Sequence, residues 1–487
     1  MTRSKFSDFL FPSVESERRK SLLILLFLTI LIQIGCVTLF FFEISPSKII
    51  LLAIAFLLFV FCVSSVERFF ILLVVYASFT LLQSYANMYS GFLPFGVQRN
   101  YLYMGYVIFL IYWGFMLILK RKSLKQGAIG NAIIAYLFFA SLALFVGILN
   151  GNKHITTIKE NEFVPQLMYL SFFVFLTSGI KRVKPKLLLN FILGISVLIG
   201  IQFMYAFPKN SIISFTRIPT INVHIALLAF PYVLGIVFFA NSSKRKLVSV
   251  LMLIPISFAV LISLQRGLWF AIGLQFILAL ILYFIRRGYT PLQIIKYLLL
   301  LLMIFAILLI IGLYGLSRMT SDEAVMVILK RFVSFANISY LRVDLSAFHR
   351  TFEIKQAFSR MSGIDWIIGR GIGDIFYSKV RFEMKDFVDN SFACVFWKMG
   401  ILGLLAFLSI FVAFFQRFIY LLRKGVDNET FIYVMAIGLN ICGLLVVALT
   451  NACLVHYRFI IVWAASMGLL EMIYRRRRDE IARNMLK

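Results

Sequence analysis

"VDNSFACVFWKMGILGLL", residues 388–405, runs from a carboxylate and an amide straight into an apolar stretch. The surrounding solvent decides what such a join means. In water the run is a core helix, and in a bilayer it is the entry to a span. Composition chooses between them: of 487 residues, 61% are hydrophobic and only 14% charged, with a mean hydropathy of +0.94, whereas a soluble domain is about 45–50% apolar. Apolar runs, mostly of about 17–22 residues, recur along the chain, each able to cross roughly 30 Å of hydrocarbon as a helix.

The expected fold is therefore all-α, a polytopic integral membrane protein of about fourteen transmembrane helices. The candidate spans are 21–42, 47–65, 69–88, 101–120, 128–149, 164–180, 187–206, 225–241, 247–264, 268–285, 296–316, 395–421, 431–450 and 459–474. Residues 1–316 would hold the first eleven, 317–388 one large loop with amphipathic helices, and 389–487 the last three with a basic tail. The first run is longer than a signal-peptide core and has no small-residue cleavage site, so it reads as a retained span.

A net charge of +28 raises the question of nucleic acid, but the basic residues punctuate the chain between spans. "KRKSLKQG", "KRVKPK", "NSSKRK", "RRGYTPLQIIK" and "RKGVDNET" alternate with the less basic "NGNKHITTIKENEF" and "TNACLVHY". By the positive-inside rule the first set, both termini and the "RRRRDE" tail are cytoplasmic. The partners this implies are membrane lipids, and no nucleic acid. Cys36, Cys62, Cys394, Cys442 and Cys453 are scattered without CxxC spacing, so neither a disulfide framework nor a metal site is expected. No P-loop, strand-borne GxGxxG or HExxH occurs, which removes the usual nucleotide and zinc readings, and no cofactor is expected.

Ionisable residues at the outer ends of spans are costly enough to need a reason. Arg266 sits in "SLQRGLWFAI", in a turn away from the positive-inside pattern, either snorkelling to lipid phosphate or binding an anion. In the large loop, "HRTFEIKQAFSRM" places Phe352, Ile354, Ala357, Phe358 and Met361 at helical spacing behind His349 and Arg350, which predicts an amphipathic helix over the membrane mouth. "IDWIIGRGIGDIF" follows, where Gly369, Gly371 and Gly373 permit a tight turn before they suggest a phosphate cradle. Asp389 and Asn390 end the loop, where either can cap the next helix. Arg217 and His224 in "FTRIPTINVHIALLAF", and His456 and Arg458 in "NACLVHYRFI", complete the outer set, although single histidines are commonly packing residues.

In order and spacing, "SLQRG", then "HRTFEIKQAF", "IIGRGIGDIF" and "VDNSFACVFWKMGILGLL" resemble the signature of the O-antigen polymerase and O-antigen ligase family, over about residues 250–410. That pattern runs S-R-G, R-x-x-x-W, G-x-G-x-G and H-N-x-x-L-x-x-x-x-G-x-x-G-L. The resemblance implies metal-independent glycosyl transfer at the periplasmic face of a bacterial inner membrane, from an undecaprenyl-diphosphate-linked oligosaccharide. A chain-length regulator and a flippase would be its partners. Arg266 and Arg350 fall on the family's arginines. Asp389 stands where ligases carry histidine, which favours a polymerase, and Ile354 departs from the pattern by standing where it has tryptophan.

The chemistry agrees with that set. A departing lipid diphosphate gains negative charge that preplaced guanidinium groups can hold, and an attacking sugar hydroxyl must lose a proton to a carboxylate or imidazole. Arg266, Arg350 and Asp389 are thus the catalytic candidates, with His224 in reserve as base. Arg217, His349, Asn390, Gly371, His456 and Arg458 are binding candidates. Tyr340, Trp366, Phe376 and Tyr377 could stack on sugar rings or simply pack. The alternatives are a ligase with lipid A core as acceptor and, from another class, a lipid-linked sugar flippase or transporter.

Overall fold

The computed structural model describes residues 127–152, 163–177, 185–210, 224–263, 265–293, 345–455 and 460–485, with isolated positions within 106–118 and 295–299. The first three candidate spans, most of the fourth and of the eleventh, and the loop up to residue 344 lie outside the described residues. So do Arg217, Tyr340, His456 and Arg458.

The described chain is mostly helical. In order it runs α1 (Ala128–Leu149), α2 (Val164–Leu167), a single 3-10 turn, α3 (Ser171–Thr177), α4 (Pro185–Asn210), α5 (Ala226–Phe239), α6 (Ser243–Ile262) and α7 (Arg266–Arg286). Then come α8 (Leu345–Phe358), α9 (Asp365–Ile368), an antiparallel hairpin of β1 (Phe376–Ser378) and β2 (Glu383–Lys385), α10 (Ser391–Lys424), α11 (Asn428–Ala448) and α12 (Ile460–Met485). Among the described residues α1, α7, α10 and α11 are long and apolar enough to cross a membrane. On α10 the exposed Ile401, Leu405, Leu408, Val412 and Ile419 recur at helical spacing along one side. A stripe of exposed aliphatic groups on a helix whose other face is buried suits a hydrocarbon solvent rather than water.

The helices alternate between two ends. At the basic end Arg245 pairs with Glu429 (2.9 Å), Arg286 donates to the carbonyl of Val426 (2.7 Å) and Arg477 to that of Lys424 (3.3 Å). At the opposite end Asn150 donates to Arg370 O (3.2 Å), Asn390 to Leu449 O (3.0 Å) and Gln166 to Val455 O (2.9 Å). The glycine run at 369–373 and the Asp389–Asn390 pair lie at this second end, whereas buried His224, just before the helix whose Leu227 meets Gln275 midway along α7, does not.

Two departures from straight apolar helices shape it. Residues 395–421 read as one span, but α10 breaks at Gly400 (φ 63°, ψ −168°) into a short helix, 391–399, and a membrane-length one, 401–424. Only glycine fits there, because a Cβ would lie 2.2 Å from Ile367 O. The break frees helix carbonyls, and the loop takes them: Arg370 N donates to Trp397 O and Gly371 N to Lys398 O, each at 3.0 Å, while Ile372 N reaches Ala143 O of α1 (2.9 Å). In α5, Pro231 has no amide for the carbonyl of Leu227 four residues back. Fully buried Gln275 of α7 answers with its amide nitrogen, donating to Leu227 O (2.8 Å) and Leu439 O (2.9 Å). Gly443 makes room, since a Cβ there would stand 2.5 Å from Gln275 Nε2.

Candidate functional site

Residues 345–390, ahead of α10, fold back on the bundle as a platform of α8, α9 and the β1–β2 hairpin. The expected amphipathic helix exists as α8, but its buried line is Glu353, Ala357 and Met361. Phe352, Ile354 and Phe358 are only half-buried beside it. A fully buried carboxylate at the centre of that line needs partners. Glu353 Oε1 accepts from Ser378 Oγ (2.9 Å) and pairs with Arg381 Nε (3.1 Å) and Lys385 Nζ (3.4 Å). Lys385 is itself buried. This cluster pins the hairpin to α8.

Arg381 spans two carboxylates. Its Nη2 reaches Asp389 Oδ2 at 2.9 Å, and Arg350 Nε lies 3.8 Å from the same oxygen. The first contact is a hydrogen bond. The second is an ion pair beyond hydrogen-bond range. One carboxylate oxygen of Asp389, Oδ2, is thus approached by two guanidinium groups. Next to it Arg381 leads into Phe382, which is 77% exposed and is, among the described residues other than glycine, the one with positive φ (56°). Backbone strain of this kind collects where a side chain is being aimed.

Asn390 is the cap of α10: its Oδ1 accepts from Ala393 N (2.9 Å) while its amide holds Leu449 O. Asp389 is thus not the cap, which releases it for the arginines. Buried Ser391 fastens the loop after α11, donating to Asn451 O (2.9 Å) and accepting from Leu454 N (3.1 Å). Tyr169 adds a bond to Leu454 O (3.0 Å). The segment leading to His456 and Arg458 is therefore buried through Val455. Arg266, the first residue of α7, joins this end through its neighbour Gly267, where a Cβ would lie 2.6 Å from Thr450 Oγ1.

The remaining candidates divide. His349 is half-buried on α8 against Phe348, one residue from Arg350. His224 is buried just before α5. That helix starts beside the Gln275 contact, halfway along α7, so His224 belongs to the interior level of the bundle rather than to the platform. Gly371 (φ 85°) packs where a Cβ would meet Gly147 N at 2.3 Å, and its amide is spent on Lys398 O. The glycine run is used for backbone-to-backbone approach. Of the aromatic candidates, Phe376 is buried edge-on against Trp397, whereas Trp366 and Tyr377 are about half exposed.

Sequence reasoning missed Glu353, Arg381 and Lys385, and also a second cluster beneath them. Asp374, nearly buried, takes Arg360 Nη2 (2.9 Å), Arg370 Nε (3.1 Å) and the Trp397 indole (3.0 Å), and its carbonyl accepts from buried Lys398. The one usable signal was Glu353 itself, an acid set four and eight residues from Ala357 and Met361. Its partners come from a hairpin of six-residue scale whose fold-back no periodicity announces. Among the described residues no three His, Cys, Asp or Glu gather as metal ligands. Compared with protein-family models and with curated proteins, the chain matches none.

Proposed function

We propose that this chain is a glycosyltransferase of a bacterial inner membrane that joins undecaprenyl-diphosphate-linked oligosaccharide repeat units at the periplasmic face, with both termini cytoplasmic. The observation that carries the reading is the convergence of Arg350 and Arg381 on Asp389, just ahead of the short helix 391–399 that leads through Gly400 into a membrane-length one. Few reactions need a carboxylate and two guanidinium groups at that boundary. Transfer from a lipid-held diphosphate to a sugar does.

In this account Arg350 turns from its loose contact with Asp389 to the diphosphate, and Arg266 holds the same anion from the start of α7. The acceptor hydroxyl attacks the anomeric carbon as the bond to the diphosphate oxygen breaks. The bond's electron pair leaves with the diphosphate, and the hydroxyl proton passes to Asp389 Oδ1. Arg381 holds Oδ2, so it orients the base and is a positioning residue. Fixed cationic donors favour the transition state because the departing charge is larger there than in the bound ester. Exposed Trp366, Tyr377 and Phe382 offer flat faces for sugars along the platform.

The test is reconstitution of the full chain in liposomes with an undecaprenyl-diphosphate-linked repeat unit, products being resolved by size. A ladder of oligomers is the expected result. Transfer only to added lipid A core would make it a ligase, and an untouched donor in both assays would overturn the enzymatic reading.

A further inference from the structure

The basic end of the bundle, remote from the platform, carries a second candidate site. A cavity of about 410 Å³ lies there between α5, α6, α7 and the start of α11, within the roughly 300–1,000 Å³ range of small-molecule sites. Its polar lining is Asn241, Lys246, Arg286, Arg287 and Asn428, and Phe238 forms an apolar wall. Among the described residues none of the three cations pairs with a carboxylate. Of the neighbouring acids, Asp427 caps α11 by accepting from Thr430 N (3.0 Å) and lends its charge to Arg286 without an ion-pair contact, and Glu429 holds Arg245 (2.9 Å) and Lys186 (3.7 Å). Arg286 is fixed in place by Val426 O and Asn428 Oδ1 (2.9 Å) and lies 4.1 Å over the Phe431 ring.

We infer that this cavity binds the phosphate of an anionic phospholipid headgroup. Three cations that, among the described residues, make no ion pair with a carboxylate, together with two amides, match a phosphodiester, which is anionic and rich in acceptors. The side of the cavity argues for a lipid. From Lys246 the exposed Val250 (45%) and Ile254 (56%) follow at one and two turns along α6, so an acyl chain leaving the headgroup would meet aliphatic surface at once. Free phosphate would use the cations alone. Basic pockets between membrane helices are a recognised way of holding such headgroups. The inference is independent of the proposed transferase site, since no residue is shared.

The experiment uses the purified full chain in a neutral detergent, with bound lipid counted by native mass spectrometry during titration with phosphatidylglycerol, phosphatidylcholine or inorganic phosphate. Phosphatidylglycerol should bind at least about ten-fold more tightly than phosphatidylcholine. The pair Lys246→Gln and Arg287→Gln, which spares the anchored Arg286, should weaken it by about ten-fold or more, consistent with the value of a basic residue near an anionic headgroup. Removing equal charge nearby, with Lys244→Gln and Lys424→Gln, should change binding less than about two-fold, and Arg287→Lys should retain it. Equal losses in both double variants, or equal binding of the two lipids, would overturn the site. Full competition by millimolar inorganic phosphate with no gain from the acyl chains would overturn the lipid assignment.

Discussion

Replacing Glu353 with alanine tests how the platform is built. The change leaves Lys385, 5% exposed, without its buried carboxylate, and the remaining partner Glu383 is 3.8 Å away and about half exposed. Ser378 Oγ, also fully buried, loses its acceptor. Arg381 is less affected, because it is partly solvated and keeps Asp389. Breaking one side of a buried pair costs about 3–5 kcal/mol. The surviving Glu383 contact argues for the lower end, about 3 kcal/mol, or a change of about a hundred-fold in a local opening equilibrium. Hydrogen exchange of the amides in 376–385, followed by mass spectrometry, should therefore accelerate by about that factor. Helices α10 and α11 should be untouched, since among the described residues the hydrogen bonds and ion pairs of Glu353 run to Ser378, Arg381 and Lys385. Adding Lys385→Met should recover most of the protection, because an apolar pair replaces a buried ionic one without loss. Exchange within about three-fold of the parent in Glu353→Ala, or no recovery in the double variant, would refute the idea that this carboxylate pins the hairpin.

Three further outcomes follow from named contacts. Gln275→Leu should destabilise the protein by about 1–3 kcal/mol in denaturant titration, and by much less when Pro231→Ala restores the α5 hydrogen bond; equal costs in both backgrounds would show that Gln275 does not serve the orphaned Leu227 carbonyl. Gly371→Ala should abolish stable packing of the loop against α1, read as new protease cleavage between 360 and 390, because its Cβ would meet Gly147 N at 2.3 Å and its φ is 85°; an uncleaved variant would mean that the loop stands farther off. Burial works against ionisation of Asp427, yet the hydrogen bonds from Thr430 outweigh it and hold the carboxyl below its ordinary 3.8. Its folded value is depressed, so its cap contribution is present above about pH 4 and fades as pH falls further, and Asp427→Asn should flatten that part of the stability profile.

The extent to which this was legible in the sequence differs between bundle and platform. Apolar runs at 128–149, 268–285 and 431–450 fall on α1, α7 and α11 within three residues at each end, because a bilayer demands helices of a set length and little else competes. The break at Gly400 was hidden in the same kind of run, since hydropathy does not distinguish a glycine that bends a helix from one inside it. "FEIKQAF" predicted a helix, and α8 is one. Its buried face was misjudged because apolarity was taken as the guide where ion pairing decides. Asp389 and Asn390 were singled out for capping or chemistry together, and the structure separates them: Asn390 caps, and Asp389 is the arginine partner. Arg381 and Lys385 had no local signal, because their meaning depends on a three-residue-strand hairpin closing over Glu353.

The most direct test of the account is the turnover of a lipid-diphosphate-linked repeat unit by Arg350→Ala, measured against the parent chain in the same liposomes at saturating donor. Arg350 is only half-buried and its ion pair with Asp389 is loose, so the variant should fold. If its guanidinium stabilises the departing diphosphate, kcat should fall by about 10²–10³, with a smaller change in KM. Turnover within about three-fold of the parent would contradict the assignment of this arginine to the reaction, and with it the placement of the transferase site at the threshold of α10.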